Sequence, residues 1–144
     1  MPGFRDMTMP EITERCAAKA FAAAGLGPEN VDLAEVHDAF SIAELIYYEA
    51  LGFCGRGEAK QLIRDGSTAL GGRIPVNTSG GLIAKGHPPG ATGLAQVFEA
   101  AAQLRGEAGA RQVADARVAL THCTGGGVSG LDHGACTIHL LAAG

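Results

Sequence analysis

The feature that most constrains the fold is a glycine-rich segment, residues 77–93, which leads directly into an alanine-rich helical stretch. Glycine is abundant throughout, with 22 copies in 144 residues, and most copies lie in clusters rather than in a repeat. Because glycine tolerates backbone conformations that other residues avoid, such clusters favour tight turns close to a ligand. A flexible linker or a collagen-like array would have a different pattern. The segment is therefore a candidate binding loop.

Composition and charge narrow the class of protein. With 47% hydrophobic and 18% charged residues, the chain is expected to pack as a globule, and its length suits a single domain, residues 1–144. The formal net charge of −4, without a basic run, gives no support for nucleic-acid binding. No apolar stretch approaches the roughly 20 residues that span a bilayer. The N-terminus does not resemble a secretory signal, so we expect a cytoplasmic protein.

The four cysteines do not form a metal-binding pattern. None belongs to a Cys-x-x-Cys pair, and no His-x-x-x-His spacing accompanies them, so we expect no metal site. Disulfides are not expected either, because the chain has ample apolar material and its expected compartment is reducing. Cys16, Cys54 and Cys136 are interpreted as structural thiols. Cys123 differs from them, because it shortly precedes a run of three glycines.

Local patterns predict helices alternating with strands. The first helix is expected to start near Thr8, with a capping box to Glu11, and to end at Gly25 in the left-handed conformation. The order helix, strand, helix, helix, strand, helix, strand, strand favours a mixed α/β sheet layered with helices. The predicted helices cover about residues 8–24, 40–51, 58–64 and 92–104, and the predicted strands or extended segments cover 31–36, 71–77, 117–121 and 136–141.

Three loops that follow predicted strands carry polar residues suited to catalysis, residues 36–40, 77–93 and 121–127. Loops at strand ends are the usual place for active-site groups in an α/β fold. The second loop lacks the spacings of nucleotide-binding loops, which sets nucleotide binding aside. Its His87 alone would be consistent with a surface turn. Cys123, before the glycines 125–127, is either a buried thiol or a thiolate stabilised by free backbone N–H groups.

Together the three loops resemble the C-terminal half of the thiolase family, and most closely the sterol-carrier and lipid-transfer type. The resemblance rests on His-Asp-x-Phe at 37–40, Gly-His-Pro at 86–88 and Cys-x-Gly at 123–125, in that order along the chain. It covers about residues 8–141. It implies an α/β domain with a mixed sheet of about five strands flanked by helices. It also implies acyl-CoA C-acyltransferase activity, in thiolytic cleavage or Claisen condensation.

The resemblance assigns a role to each matching position. His87 would donate a hydrogen bond to the thioester oxygen of an acyl-CoA, and His37 would hold a water that donates a second one. Cys123 would move the α-proton as general base and acid. The N–H of Gly125 would belong to a second oxyanion site, and Phe40 would line the pantetheine channel. Coenzyme A would be a substrate, and no permanently bound cofactor is expected.

Two departures from the family pattern affect this interpretation. Ala39 stands where the sterol-carrier type often has a cysteine, while Cys123 retains the acid/base position of ordinary thiolases. The acyl-accepting cysteine of thiolases lies in their N-terminal half, and no cysteine here has a matching context. We therefore expect an N-terminal thiolase half as a partner subunit or missing segment. A small zinc-ribbon/OB-fold accessory protein is a second expected partner by resemblance.

Two alternative functions remain open at this point. A thiolase-fold lyase would cleave a β-hydroxyacyl-CoA by a retro-aldol reaction, which needs enolate stabilisation but no acyl-accepting cysteine. A non-catalytic subunit would bind CoA thioesters or act as a scaffold. In each case a solitary C-terminal half should expose an apolar face where its missing half would pack.

Overall fold

The structure is a computed structural model that describes residues 9–127 and 133–144. The predicted cap at Thr8 lies outside the described residues. The helices are α1 Glu11–Ala24, α2 Ser41–Ala50, α3 Ala59–Arg64, α4 Gly81–Lys85 and α5 Thr92–Leu104, and the strands are β1 Leu33–Glu35, β2 Val118–Gly127 and β3 His133–Ala142. Short 3₁₀ turns occupy Pro28–Asn30 and Gly109–Arg111. Among the described residues, no helix combines the length and apolar character needed to cross a bilayer.

Helix α1 ends where its sequence predicted, but it begins at Glu11, later than the predicted start near Thr8. It begins after Pro10, whose backbone is extended, and ends at Gly25, which has the predicted left-handed conformation with φ 65°. Its buried side chains include Ala17 and Phe21, four residues apart and therefore on one face. This face packs against the sheet, mainly along β3.

The sheet of the described residues has three strands in the order β1-β2-β3, fewer than the roughly five that the resemblance implied. Strand β1 pairs parallel to β2, and β2 pairs antiparallel to β3. The extended segment predicted at 71–77 adds only an isolated bridge between Val76 and Ala34. Two features prevent this segment from forming a longer ladder. Pro75 has no N–H to donate, and Asn77 has a left-handed backbone conformation with φ 52°.

The glycines at 125–127 form the end of β2 rather than the predicted loop. Their partner strand accounts for the difference, because Gly125 pairs with Ala135 across the ladder and β3 supplies backbone hydrogen-bond partners there. The glycine-rich segment also departs from prediction, since its residues Gly81–Lys85 form the short helix α4.

The sheet separates two clusters of buried apolar side chains in the described part of the chain. Successive residues of β2 point to opposite faces, so Leu120 joins the cluster beneath α1, α2 and α3, which also contains Phe21 and Tyr48. Ala119 joins the smaller cluster with Ala100 of α5 on the other face. The helices thus flank both faces of the sheet, as the α/β prediction required.

Helix α5 matches its predicted bounds, but its polarity is inverted relative to an ordinary surface helix. Its buried side chains include Gln96, Glu99 and Gln103. Two large apolar side chains, Leu94 and Phe98, are instead 72% and 74% exposed. The expected exposed apolar surface is therefore present on this helix.

Candidate active site

Three residues from the three predicted loops converge at one cavity of about 590 Å³, which His37, His87 and Cys123 all line. The Cys123 Sγ lies 3.5 Å from His37 Nδ1. The rings of His37 and His87 meet edge to face, with centroids 4.8 Å apart and planes at 87°. A thiol and two imidazoles therefore face a common space.

Strand pairing explains why His37 and Cys123 are neighbours. In the parallel ladder Glu35 is aligned with Thr121, and each functional residue lies two positions further along its own chain. An equal offset from a parallel register keeps two side chains at the same level and on the same face. The segment after β1 is held in place by Asn77, whose Oδ1 accepts a hydrogen bond from Val36 N at 2.8 Å.

His87 is oriented by a hydroxyl from the first turn of α5. Its Nδ1 lies 2.9 Å from Thr92 Oγ1, which is also 3.3 Å from the carbonyl oxygen of Pro88. The hydroxyl has one proton, which goes either to the Pro88 carbonyl oxygen or to Nδ1. With that proton directed to Nδ1, neutral His87 carries its own proton on Nε2. That tautomer has a donor available for a substrate oxygen.

Cys123 is half-buried and lines the cavity. Burial raises the pKa of its thiol, because removal from water disfavours the charged thiolate. Of the two alternatives that the sequence left open for Cys123, the raised pKa favours the buried thiol over a thiolate stabilised by glycine N–H groups. Gly93 of α5 lies beside the thiol, and a Cβ added at Gly93 would be 3.6 Å from the Sγ, an ordinary van der Waals contact.

The remaining two predicted site residues differ in their placement. Gly125 lines the cavity, two residues beyond Cys123 on β2. Phe40 immediately precedes α2, and its side chain is 74% exposed. It is not part of the wall of this cavity, so its assignment to a pantetheine channel stays a prediction.

Polar residues that sequence inspection missed also line the cavity. On β3, Thr137 and His139 face it, and His139 Nδ1 lies 3.2 Å from Thr121 Oγ1. The signal that could have revealed them is their two-residue spacing on a predicted strand, which puts both side chains on one face. The sequence did not show which face of this strand borders the site, so the spacing of Thr137 and His139 could not be linked to a function.

A buried carboxylate, that of Glu35, forms hydrogen bonds with the glycine-rich segment. Glu35 is 1% exposed and accepts hydrogen bonds from the backbone N–H and the hydroxyl of Ser79. Lys85, at the end of α4, bonds to the same Ser79 hydroxyl and lies 3.9 Å from the Glu35 carboxylate. Burial raises the pKa of Glu35, and the hydrogen bonds and Lys85 only partly oppose it.

A second buried carboxylate has a strong cationic partner. Glu99 of α5 pairs with Arg111 at 2.9 Å and accepts a hydrogen bond from Gln103. Burial alone would raise the pKa of Glu99, but the bonds from Arg111 and Gln103 outweigh it and lower that pKa. Thr78 Oγ1 lies within hydrogen-bonding distance of both Glu99 and Glu35, which links the two carboxylates.

The other three cysteines are free thiols outside the wall of this cavity. Cys16 donates to the carbonyl of Cys136 at 3.5 Å, and burial together with the Cys16 thiol raises the pKa of Cys136 to about 12. Burial and two nearby glutamates raise the pKa of Cys54 to about 11. At neutral pH the thiols of Cys54 and Cys136 are protonated and weakly nucleophilic, which fits the structural role predicted for these two residues.

Comparison with known proteins places this geometry in a family. The model of the family described as "Thiolase C-terminal domain-like" matches residues 3–133. The chain belongs to the thiolase C-terminal domain-like family. The resemblance inferred from the three loop motifs is thereby confirmed.

Curated relatives of this family member include thiolases and sterol carrier proteins. Benzoylsuccinyl-CoA thiolase subunit BbsB of Thauera aromatica is 45% identical over 136 residues, covering 92% of this chain and 35% of that protein. Acetyl-CoA acetyltransferase of Methanothermobacter thermautotrophicus is 52% identical, with coverages of 85% and 32%. Sterol carrier protein 2 of Rattus norvegicus is 52% identical, with coverages of 80% and 21%. The chain thus spans about a fifth to a third of these relatives.

A solved structure supports the thiolase-like α/β fold. The structure named "Ltp2-ChsH2(DUF35) aldolase" superimposes with a TM-score of 0.81 at 29% sequence identity. The match covers 99% of this chain and 34% of the other chain. The fold class is therefore confirmed, with three strands in the described residues rather than about five.

Proposed function

We propose that this chain is the thioester-activating C-terminal half of a thiolase. It would promote thiolytic cleavage of a 3-ketoacyl-CoA or the reverse Claisen condensation. The observation that carries the proposal is the convergence of His37, His87 and Cys123 on one cavity, with the Cys123 thiol 3.5 Å from His37. These are the group types needed to remove an α-proton and stabilise the resulting enolate.

The two histidines form the proposed oxyanion site. His87 donates from Nε2 to the thioester oxygen, which requires the Thr92 hydroxyl to donate to His87 Nδ1 rather than to the Pro88 carbonyl oxygen. His37 holds the water that makes the second hydrogen bond, and its edge-to-face contact keeps both rings at the same oxygen. Loss of one such donor typically raises the barrier by about 2.7–4 kcal/mol.

Cys123 is the proposed acid/base group. The raised pKa keeps the resting thiol protonated, so a basic partner is required before it can take the substrate proton. His37 Nδ1, at 3.5 Å, is placed to accept the thiol proton. The resulting thiolate would then remove the α-proton and return it in the reverse direction. Gly125 N–H contributes to the second oxyanion site.

A partner completes the proposed enzyme. The chain corresponds to about a third of the thiolases that it matches, and the acyl-accepting cysteine would come from the N-terminal half. The exposed side chains of Leu94 and Phe98 on α5, together with Ile83 on α4, provide an apolar surface for that half. A small zinc-ribbon/OB-fold protein is proposed as an accessory partner by family resemblance.

A retro-aldol lyase is the second candidate function, and one observation favours it. The structure that matches over 99% of this chain is named an aldolase. The same oxyanion site would stabilise the enolate that leaves when a β-hydroxyacyl-CoA is cleaved, and no acyl-accepting cysteine would be needed. A purely scaffolding role is disfavoured, because it gives no reason for a thiol and two imidazoles to meet in one cavity.

Product analysis with two substrates separates these functions. The chain is combined with an N-terminal thiolase half and supplied with acetoacetyl-CoA plus CoA, or with a β-hydroxyacyl-CoA. Thiolysis that requires both chains supports the thiolase, whereas an aldehyde or ketone released from the hydroxy substrate supports the lyase. Efficient thiolysis by the 144-residue chain alone would contradict the need for a partner nucleophile.

A further inference from the structure

Asp38 is a buried carboxylate that the proposed chemistry does not use. It is 2% exposed, and its Oδ1 accepts a hydrogen bond from Leu82 N at 2.7 Å. Its Oδ2 accepts a longer one from Ile83 N at 3.4 Å. We propose that Asp38 is a positioning residue, which sets the separation of the His37 and His87 rings by tying the segment after β1 to α4.

The absence of a side chain at Gly81 lets the Asp38 carboxylate approach α4 closely. A Cβ added at Gly81 would lie 2.1 Å from Asp38 Oδ2, which is well inside van der Waals contact. Gly81 also has φ +62°, a conformation that other residues adopt rarely. The contact therefore needs both the carboxylate of Asp38 and the absence of a side chain at Gly81, two residues far apart in sequence.

The contact acts on both histidines because of where they lie in the chain. His37 immediately precedes Asp38, whose own N–H donates to Val36 O at 3.0 Å and fixes the local turn. His87 lies two residues beyond Lys85, the last residue of α4. A displacement of α4 would therefore be passed to His87, while His37 would remain attached to β1.

The other end of α4 has an independent anchor. Lys85 bonds to the Ser79 hydroxyl and approaches the carboxylate of Glu35. Loss of the Asp38 contact should therefore let α4 tilt about its anchored Lys85 end without detaching the helix, and this tilt changes the direction in which the chain continues to His87. The expected result is a shift of His87 relative to His37 rather than global unfolding.

Asp32 provides a matched control within the same chain. Its Oδ2 accepts hydrogen bonds from Arg117 N at 2.7 Å and Val118 N at 2.8 Å. It thus ties together two distant segments by the same chemistry, but at the start of β1, the end opposite to the histidines. Asp32→Asn or Asp32→Ala should lower the free energy of unfolding without moving the imidazole rings of His37 and His87.

The first test measures ring geometry in the 144-residue chain and needs no enzyme activity. In chain labelled with ¹⁵N-histidine, the wild type should show a nuclear Overhauser effect between the ring protons of His37 and His87. Asp38→Ala should remove this effect and shift both sets of ring signals, and Asp38→Asn, which keeps one acceptor oxygen, should weaken it. Asp32→Asn should leave it unchanged, and the signals of His122 and His139 should stay constant in all variants.

Thermal unfolding accompanies these spectra. If Asp38→Ala does not fold, Asp38→Asn decides the outcome. A wild-type ring contact in folded Asp38→Asn, with ring signals at their wild-type positions, would overturn the proposal. Equal changes in the Asp32→Asn spectra would also overturn it, because they would show a general effect of lost stability.

The second test rests on the proposed function and uses the chain assembled with an N-terminal thiolase half. Asp38→Asn should lower kcat about 10- to 100-fold, as expected for a small displacement of a reacting group, while KM changes less than about 2-fold. Asp32→Asn should leave both values near wild type. Unchanged kcat in Asp38→Asn would contradict the positioning role. If the wild-type assembly is inactive, the proposed function fails, and the ring-contact measurement still decides the role of Asp38.

Discussion

The thiol of Cys123 and the imidazole of His37 face each other across the parallel pair of β1 and β2, with 3.5 Å between Sγ and Nδ1. Burial raises the pKa of the thiol, so the imidazole is needed as its proton acceptor in the proposed mechanism. Cys123→Ser should nearly abolish exchange of substrate α-hydrogens with deuterated water, because a hydroxyl is a far weaker acid than a thiol. Mass spectrometry of recovered acyl-CoA measures this exchange in the assembled enzyme.

Acyl-CoA binding and acylation of the partner's cysteine should persist in Cys123→Ser, since neither step uses this thiol. Cys54→Ser is the control, because Cys54 lies outside the cavity wall. Exchange at the wild-type rate in Cys123→Ser would remove this residue from the acid/base role. Normal cleavage of a β-hydroxyacyl-CoA by the same variant would favour the lyase.

His87→Ala should lower kcat of the assembled enzyme by about 10²–10³-fold, the range for loss of one oxyanion donor. His37→Ala should lower kcat at least as much, because it removes both the holder of the water donor and the proton acceptor 3.5 Å from Cys123. Steady-state kinetics with acetoacetyl-CoA and CoA measure both values. A rate close to wild type for His87→Ala would exclude it from the oxyanion site.

The hydroxyl of Thr92 should control the tautomer of His87. Thr92→Val keeps the branched shape but removes the group 2.9 Å from Nδ1, and we expect kcat to fall about 10-fold. Thr92→Ser restores the hydroxyl and should recover most of the rate. Long-range ¹H–¹⁵N spectra of His87 report which ring nitrogen carries the proton. Equal rates in Thr92→Val and Thr92→Ser would contradict this role.

Buried Glu35 should make stability depend on pH. Because burial raises the pKa of Glu35 above its ordinary value of 4.5, the folded state binds the proton more tightly than the unfolded state does. Its contribution is therefore fully present below about pH 4.5 and is lost as pH rises through the folded pKa. Relative to wild type, Glu35→Gln should gain stability progressively as pH increases from 4.5 towards neutrality.

Thermal unfolding of both proteins across that range measures the difference. Glu58→Gln serves as the control, because Glu58 lies at an exposed position outside the buried network around Glu35. A difference between wild type and Glu35→Gln that does not vary with pH would contradict the raised pKa.

The exposed apolar face of α5 should bind the N-terminal half. Phe98→Ser, at a side chain 74% exposed, should weaken association at least about 10-fold, as expected for loss of a large buried aromatic at an interface. Ile63→Ser, on α3 and 52% exposed, should leave association unchanged. Titration calorimetry with the N-terminal half measures the dissociation constants. An unchanged dissociation constant in Phe98→Ser would show that the interface lies elsewhere, and an equal loss in both variants would show a general effect of the substitutions.

Helix boundaries were the most predictable part of this fold. The bounds of α5 match the predicted 92–104, and α1 ends at the predicted Gly25. Capping residues and apolar spacing act within one or two turns, so the neighbouring sequence contains the information needed. The start of α4 is different, because Asp38 satisfies the N–H groups of Leu82 and Ile83 from a distant segment.

Strand extent was less predictable, because strands depend on partners elsewhere in the chain. The glycines at 125–127 have low intrinsic strand preference, yet pairing with β3 carries β2 through them. Conversely, the segment expected to form a strand at 71–77 contributes one bridge, since Pro75 cannot donate to a ladder.

Local sequence was enough to predict the family, every helix except α4 and the residue types of the site, because the capping signals and the motifs around His37, His87 and Cys123 are local. Tertiary structure alone decided their separations: 3.5 Å between Cys123 and His37, and 4.8 Å between the two imidazoles. It also decided the raised pKa of Cys123, since burial depends on what packs around the thiol. Distances and burial arise from contacts between segments far apart in the chain, and no local pattern contains them.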